Sequence, residues 1–340
     1  MTRVALESST GAATALTGPL VSVVIPTHRR AALLERALRS ALGQTYQLLE
    51  ILVVENGDSH EAEAVVRRLA AEGAPVRWLY EAAGHSGRAR NAGIRASCGA
   101  YVAFLDDDDV WHPEKLARQV ALLERRPDAD LAACKAWAVD MEGRRIKVIP
   151  SFDGEPTLRA FIEEGCVIPV PSSVVIRRGC FDQVGLFSEQ HDYASDYEFF
   201  LRFTRRHRAL VVPEALFDYT MHEAGMSKQT APMLEDVLAV LRAARPAPEL
   251  GVTRGLIHRQ AARACYLLAA EAVDQRQYQR AAWHYLSAAG HDPLVGLHAG
   301  WSRSPDPSYR LLRPYAAALF YGLRALGARR NAPQGEARPS

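Results

Sequence analysis

The first third of the chain alternates between two textures, and this alternation limits the fold more than any other feature. Residues 20–25 (LVSVVI) form a short β-branched run that ends at Pro26. Residues 31–42 then carry apolar side chains at helical spacing. Residues 48–54 (LLEILVV) are strand-like again, residues 61–71 helical, 76–80 strand-like, 86–96 helical and 101–105 (YVAFL) strand-like. Strands that are apolar on both faces, each followed by an amphipathic helix, predict an α/β domain with a mostly parallel sheet flanked by helices. In such sheets ligands bind beyond the C-terminal strand ends. That rule singles out three loops: residues 26–30, 55–60 and 106–111.

The middle third is less regular. It mixes short strands (173–176, 210–212) with helices (157–164, 194–207). From Pro232 onward the texture is helical and rich in Ala and Arg. Residues 263–290 resemble one helical hairpin of the tetratricopeptide type, read here as an α-helical appendage. The expected organisation is a disordered tail over 1–18, a catalytic domain over 19–228, a helical region over 229–328 and a disordered tail over 329–340.

Composition excludes several classes. The formal net charge is +2, which gives no bulk electrostatic case for nucleic-acid binding. Five scattered cysteines without a C-x-x-C pair read as reduced thiols rather than a disulfide framework. The start of the chain lacks the apolar core of a signal peptide, and no apolar run approaches the ~20 residues of a membrane helix. The expected location is cytoplasmic, with peripheral membrane contact through the C-terminal helices left open. There Arg310, Arg313, Arg324, Arg329 and Arg330 interleave with apolar residues.

Four carboxylates in a row, Asp106, Asp107, Asp108 and Asp109, directly follow the last of these strands. Four like charges repel, and burying them unpaired is costly. Hard oxygen ligands at a sheet's carboxyl edge suit Mg²⁺ or Mn²⁺, ions that commonly also bind substrate phosphates. The other reading is a solvated acidic loop in which Asp109 caps the following helix.

The pieces VSVVIPTHRR (21–30), ILVVENGDS (51–59), GRARNAGIRAS (87–97) and YVAFLDDDDVWHPEKL (101–116) occur in that order. With VGLFSE (184–189), ASDYEFFLR (194–202) and MHEAGMS (221–227), the ordered set resembles family 2 of the glycosyltransferases, inverting enzymes of the GT-A fold. The resemblance covers residues 20–227. It implies a nucleoside-diphosphate sugar donor, a divalent ion (Mg²⁺ or Mn²⁺) and a glycan, lipid-linked glycan or small-molecule acceptor.

The resemblance also implies roles. Pro26, Thr27 and Arg29 line the nucleoside site. Glu55 and Asn56 stand where the family usually carries an Asp-Asp pair reading uracil and ribose. A UDP-sugar is the expected donor, and this departure leaves dTDP- and GDP-sugars open. A turn at Asn56-Gly57 is the plain alternative. Arg90 and Asn91 approach the nucleotide, with His85 and Arg88 as weaker candidates. Asp106 and Asp107 join the nucleotide-sugar site, Asp108 and His222 bind the metal, and Asp196 is the general base. Trp111 and Trp137 could stack on a sugar, and Pro171, Ser172 and Ser173 line the acceptor side. Plain packing and turn roles remain open for these last residues. A nucleotidyltransferase is disfavoured because no glycine lies in PTHRRAALLERAL. A non-catalytic sugar-nucleotide-binding subunit is disfavoured by Asp106, Asp108 and Asp196. A Rossmann dehydrogenase lacks its G-x-G-x-x-G.

Overall fold

The computed structural model describes residues 18–82, 85–149, 152, 154–222, 229–293, 314, 317–322 and 324. Residues 1–17 and 325–340, most of MHEAGMS, and Arg310 and Arg313 lie outside them. The chain divides into two compact units, Met1–Gly225 and Met226–Ser340.

The first unit opens with the expected alternation: β1 (Val21–Thr27), α1 (Ala31–Leu42), β2 (Leu49–Asn56), α2 (Glu61–Ala71), β3 (Val76–Glu81), α3 (Ser86–Ala96) and β4 (Tyr101–Phe104). It continues through β5 (Val110–Trp111), α4 (Lys115–Arg125), β6 (Leu131–Val139), β7 (Arg145–Ile149), α5 (Leu158–Glu164) and β8 (Val175–Arg177). α6 (Cys180–Val184), α7 (Ser195–Phe203) and β9 (Ala209–Thr220) close it. Among the described residues the strand order is β3-β2-β1-β4-β8-β6-β9-β5, with β7 on the flank of β6.

β1 pairs parallel with both β2 and β4, and β2 with β3. β8 runs antiparallel between β4 and β6, so β6 again points the same way as β4. β9 lies parallel to β6. The C-terminal ends of β1, β2, β4, β6 and β9 therefore share one sheet edge. The long strand β6 was not expected from the sequence. Its run of Ala and Cys (LAACKAWAV) is buried but carries little β-propensity, and its pairing partners β8 and β9 come from much later in the chain.

Alternate residues of β1 face opposite layers. Val21, Val23 and Ile25 pack with Leu34, Ala37, Leu38 and Ala41 of α1, Val66 and Leu69 of α2, and Leu116, Val120 and Leu123 of α4. On the other face α3 lies so close to β1 that a Cβ at Gly93 would stand 2.3 Å from a Val24 methyl. That layer continues as an aromatic cluster in which Phe187 stacks on Phe199 at 4.5 Å and meets Phe104 edge-on at 5.3 Å.

A polar cluster is buried behind β4. Lys115, fully buried, donates to Gln119 Oε1 at 2.8 Å and lies 4.1 Å from the Trp111 ring. Gln119 Nε2 donates to the carbonyls of Ala132 (2.7 Å) and Ser173 (2.8 Å). Burial lowers the Lys115 pKa to about 8 from an ordinary 10.5.

The second unit contains α8 (Thr230–Ala243), α9 (Arg254–Asp274) and α10 (Tyr278–His291). Three residues separate α9 from α10, which makes them an antiparallel hairpin, and edge-to-face Tyr266 and Tyr285 (5.2 Å) join them. No helix among the described residues is long and apolar enough to cross a membrane.

Gly93→Ala should destabilise the protein by about 1–3 kcal/mol through overpacking. Combined with Val24→Ala it should cost less than the sum of the two single changes, as urea denaturation would show. For Lys115, the unfolded chain keeps between about pH 8 and 10.5 a proton that the folded chain has lost, so stability rises with pH across that window. Between pH 7 and pH 10 the stability difference between wild type and Lys115→Met should shift toward the wild type by roughly 2–3 kcal/mol. An unchanged difference would mean that the ammonium is not penalised by its burial.

Candidate active site

The acidic run leaves β4 and turns at the shared sheet edge, where its four carboxylates take four different environments. Asp106 faces Arg90, whose Nη2 lies 2.7 Å from Asp106 Oδ1. Asp107 is buried and accepts from Thr27 Oγ1 at 2.7 Å. Asp108 Oδ2 is met at 2.9 Å by both Arg30 Nη1 and His222 Nε2. Asp109, 1% exposed, accepts from the Thr220 backbone N–H at 3.2 Å. Asp109 thus ties the run to the end of β9 and does not cap α4, whose N-terminus has no side-chain cap.

The electrostatics follow from this packing. Burial, then the neighbouring Asp108, pushes the Asp107 carboxyl up to about 6. Burial followed by Asp108 and Asp106 holds Asp109 well above the usual carboxylate range. For Arg30, burial works against the charge, but Asp107 and Asp108 outweigh it and its pKa is raised. Arg36 adds a third cationic contact, donating to the Asp108 carbonyl (2.8 Å) and Thr220 Oγ1 (2.9 Å).

Asp196 enters from the first turn of α7, half-buried, with Oδ1 accepting its neighbour Tyr197's N–H at 2.7 Å. Burial raises its pKa. Arg90 and the Tyr197 N–H oppose that shift, and Asp106 adds to it. Asp196, Arg90 and Asp106, spread over 107 positions of sequence, therefore share one electrostatic neighbourhood.

The loop after β1 is tied to the loop after β2. His28 Nδ1 pairs with the Asn56 carbonyl at 2.6 Å, and Arg29, at φ 53°, forms an exposed ion pair with Asp58. Pro26 is buried within β1. Asn56 is buried with its side-chain oxygen unpartnered, a polar atom free to meet a ligand. An aromatic group flanks this loop: His60 lies 4.7 Å from Tyr80 and 5.9 Å from Trp78.

Several residues expected to face ligands have internal partners instead. Glu55 accepts from the Ala62 N–H (3.1 Å) and from Trp78 Nε1 (3.0 Å), so both its oxygens brace the start of α2 and β3. Asn91 is buried and exchanges hydrogen bonds with the Phe187 backbone, giving at 3.0 Å and accepting at 2.9 Å. It also donates to Glu189 at 3.3 Å. Ser172 is buried, and its hydroxyl accepts from the Asp106 N–H at 3.0 Å. Ser173, in the same 3-10 turn (Pro171–Ser173), donates to the Val170 carbonyl at 2.7 Å. Trp111 is buried and donates to the Ser172 carbonyl at 2.9 Å. These residues hold the acidic loop from behind. Trp137 lies on β6, half-buried with the Arg145 guanidinium 4.7 Å from its ring. Arg88 pairs with Glu189 at 3.2 Å, and His85 caps α3 and pairs with Asp192 at 2.8 Å.

Arg30 and Arg36 were not foreseen. Arg30 lies in the loop singled out after β1 and Arg36 within α1, but only the packing of α1 against the acidic loop brings both to Asp108. A second constellation lies elsewhere. Asp130, Cys180 and His207 have ligand atoms within 4.8 Å of one another. Asp130 and His207 precede β6 and β9, and Cys180 follows the antiparallel β8, so this trio sits at the opposite sheet edge. It is internally bonded (His207 Nδ1 to Asp130 Oδ2 at 2.8 Å), with Arg177 3.8 Å from the same carboxylate.

The family profile described as "Glycosyl transferase family 2" matches residues 22–185. An uncharacterized glycosyltransferase of Rickettsia prowazekii is 30% identical over 229 residues, covering 64% of this chain and 69% of its own. Another, from Nostoc sp., is 40% identical over 106 residues, covering 31% of this chain and 33% of its own. Among solved structures, S. aureus TarS 1-349 in complex with UDP-GlcNAc superposes with a TM-score of 0.65 at 16% identity, covering 91% of this chain and 92% of that one. The mannosyltransferase PcManGT from Pyrobaculum calidifontis, in complex with GDP-Man and Mn²⁺, gives 0.55 at 19% identity, covering 91% and 83%. With its parallel strands ending at an acidic loop and with these relatives, the chain belongs to the family 2 glycosyltransferases and has their GT-A fold.

Proposed function

We propose that the protein moves a sugar, with inversion, from a nucleoside-diphosphate sugar to an acceptor hydroxyl, and that Asp196 is the general base. The observation that carries this reading is the meeting of Asp196, Arg90 and Asp106 at the edge where Asp108 and His222 also stand. A UDP-sugar is the first choice of donor, with dTDP- and GDP-sugars as the alternatives. TarS was solved with UDP-GlcNAc and PcManGT with GDP-Man, so likeness of fold does not choose the base. The acceptor class is a glycan, a lipid-linked glycan or a small metabolite.

Asp196 would take the acceptor proton as that oxygen attacks the anomeric carbon and the bond to the diphosphate breaks. Burial makes its carboxylate more basic than an exposed one, and Arg90 opposes that shift. Asn56, with its free side-chain oxygen, would accept from the nucleoside, and the aromatic group at His60 and Tyr80 offers a flat surface beside it. Arg90 would balance charge near the diphosphate.

The donor set at Asp108 fits Mg²⁺ or Mn²⁺. A carboxylate oxygen, a second carboxylate at Asp106 and an imidazole nitrogen are hard or borderline ligands. The Asp108 oxygen already faces cationic Arg30, so the site is arranged around a positive charge. A divalent ion held by Asp108 and His222, with Asp106 beside them, would offset the charge that develops on the leaving diphosphate. Arg30 would have to yield that oxygen, after which it could turn to the phosphates.

Calorimetric titration with UDP, dTDP and GDP, each with and without Mn²⁺, tests the donor site. One nucleotide should bind in a metal-dependent way, and Asp108→Ala should abolish that dependence. Arg30→Gln should tighten Mn²⁺ alone by about threefold to tenfold, because a competing cation is gone. Absence of nucleotide binding under every condition would sink the reading. For the base, Asp196→Asn should lower kcat by at least ~10²-fold while donor affinity stays near wild type. Retained kcat would remove Asp196 from the mechanism.

A further inference from the structure

The second unit contains a cavity of about 180 Å³ between the ends of α8, α9 and α10. Its wall is apolar where Leu241 and Ile257 line it, and every ionisable residue on it is basic: Arg242, Arg254, His258 and His291. No carboxylate is among its lining residues. Elsewhere in the same unit an arginine is paired, Arg280 with Glu235. Arg242 instead has one long contact with Ser287 Oγ at 3.4 Å, and neither it nor Arg254 has an ion pair among the described residues.

The placement of Arg254 runs against helix electrostatics. Arg254 is the first residue of α9, whose opening turn carries no acid. The N-terminus of a helix is its positive end, and a cation there is unfavourable. One turn later comes His258, whose ring meets His291 edge-to-face at 5.6 Å. Burial, then Arg242 and His258, lowers the His291 pKa, so its basic neighbours oppose its protonation. Arg242 and His291 stand in the last turns of α8 and α10, where a cation is favoured, so Arg254 is the misplaced charge, and the helix ends bring all four basic groups round one cavity.

We infer that this cavity is a binding site for the phosphate group of a phosphate ester, gripped by Arg242 and Arg254 over the start of α9. Guanidinium groups match phosphate oxygens in bidentate fashion, and the first-turn N–H groups that the Thr253 cap on Leu256 leaves free favour the same anion. The volume admits a phosphoryl group and a few attached atoms, and falls short of the ~300–1,000 Å³ that encloses a whole drug-sized ligand. Leu241 and Ile257 would meet the carbons of the ester. The site shares no residue with the acidic loop, and the inference does not rest on the proposed transfer reaction.

The test uses the full-length protein and follows the His258 and His291 C2–H resonances. These report on this cavity even if phosphate also binds at the nucleotide site. Inorganic phosphate, glycerol 3-phosphate, a glycerophosphodiester and vesicles containing phosphatidylglycerol are titrated separately at low salt. A phosphate compound should shift both resonances saturably and raise the His291 pKa. Arg254→Gln and Arg242→Gln should each weaken that binding about tenfold or more, and Arg263→Gln, further along α9, should leave it unchanged. Preference for the esters over inorganic phosphate would identify a substituted phosphate as ligand, and response to vesicles alone would identify a lipid headgroup. Response to inorganic phosphate alone, absence of any saturable shift in the wild type, or equal binding by all three arginine variants would overturn the inference. The wild-type resonances decide the matter even if an arginine variant fails to fold.

Discussion

The first unit depends on the neutralisation of a charge cluster that cannot be left alone. Asp106, Asp107, Asp108 and Asp109 emerge from β4 at a packed edge, and two of them are almost wholly buried. Their partners come from different elements: Arg90 of α3 meets Asp106, Thr27 of β1 meets Asp107, Arg30 before α1 and His222 after β9 meet Asp108, and the Thr220 N–H of β9 meets Asp109. Arg36 closes the ring through the Asp108 carbonyl and Thr220. Removing the partners of the buried Asp107 and Asp109 would leave a carboxylate unpaired away from water, which is why distant segments are held to one place.

A second layer makes this arrangement rigid. Ser172 receives the Asp106 N–H, Trp111 holds the Ser172 carbonyl, and Gln119 holds Ser173. Asn91 fixes the Phe187 backbone, and Phe187 stacks on Phe199, one helical turn from Asp196 in α7. Arg90 lies 5.9 Å from the Phe187 ring. The same residues thus serve packing and site geometry together. A buried lysine at the back, Lys115, shows how much desolvation this layer imposes.

The two units differ in how they treat charge. In the first, cations and carboxylates are matched around the sheet edge. In the second, Arg242, Arg254, His258 and His291 gather round a cavity without a carboxylate in its wall. Helical propensity alone cannot account for that gathering, since it joins the end of α8 and the start of α9 to the end of α10, 37 positions after Arg254.

Much of this was legible from residues alone. Periodicity located α1, α2 and α3 to the residue and β1 to β4 within two residues, because strand and helix periods differ and each element is locally encoded. The order of the motifs also carried the family, and the acidic run and Asp196 could be singled out by their place in it. Tertiary structure decided which polar residues look inward. Glu55, Asn91, Ser172, Ser173 and Trp111 carry the right chemistry for a ligand, yet each is bonded to a backbone or side chain that a linear pattern does not bring near it. Arg30 and Arg36 are the converse: one precedes α1 and the other lies within it, and packing against β4's loop makes them partners of Asp108. Local sequence sets backbone period and charge, whereas the direction a polar side chain faces depends on neighbours supplied by strands up to 184 positions away, as with Arg36 and Thr220.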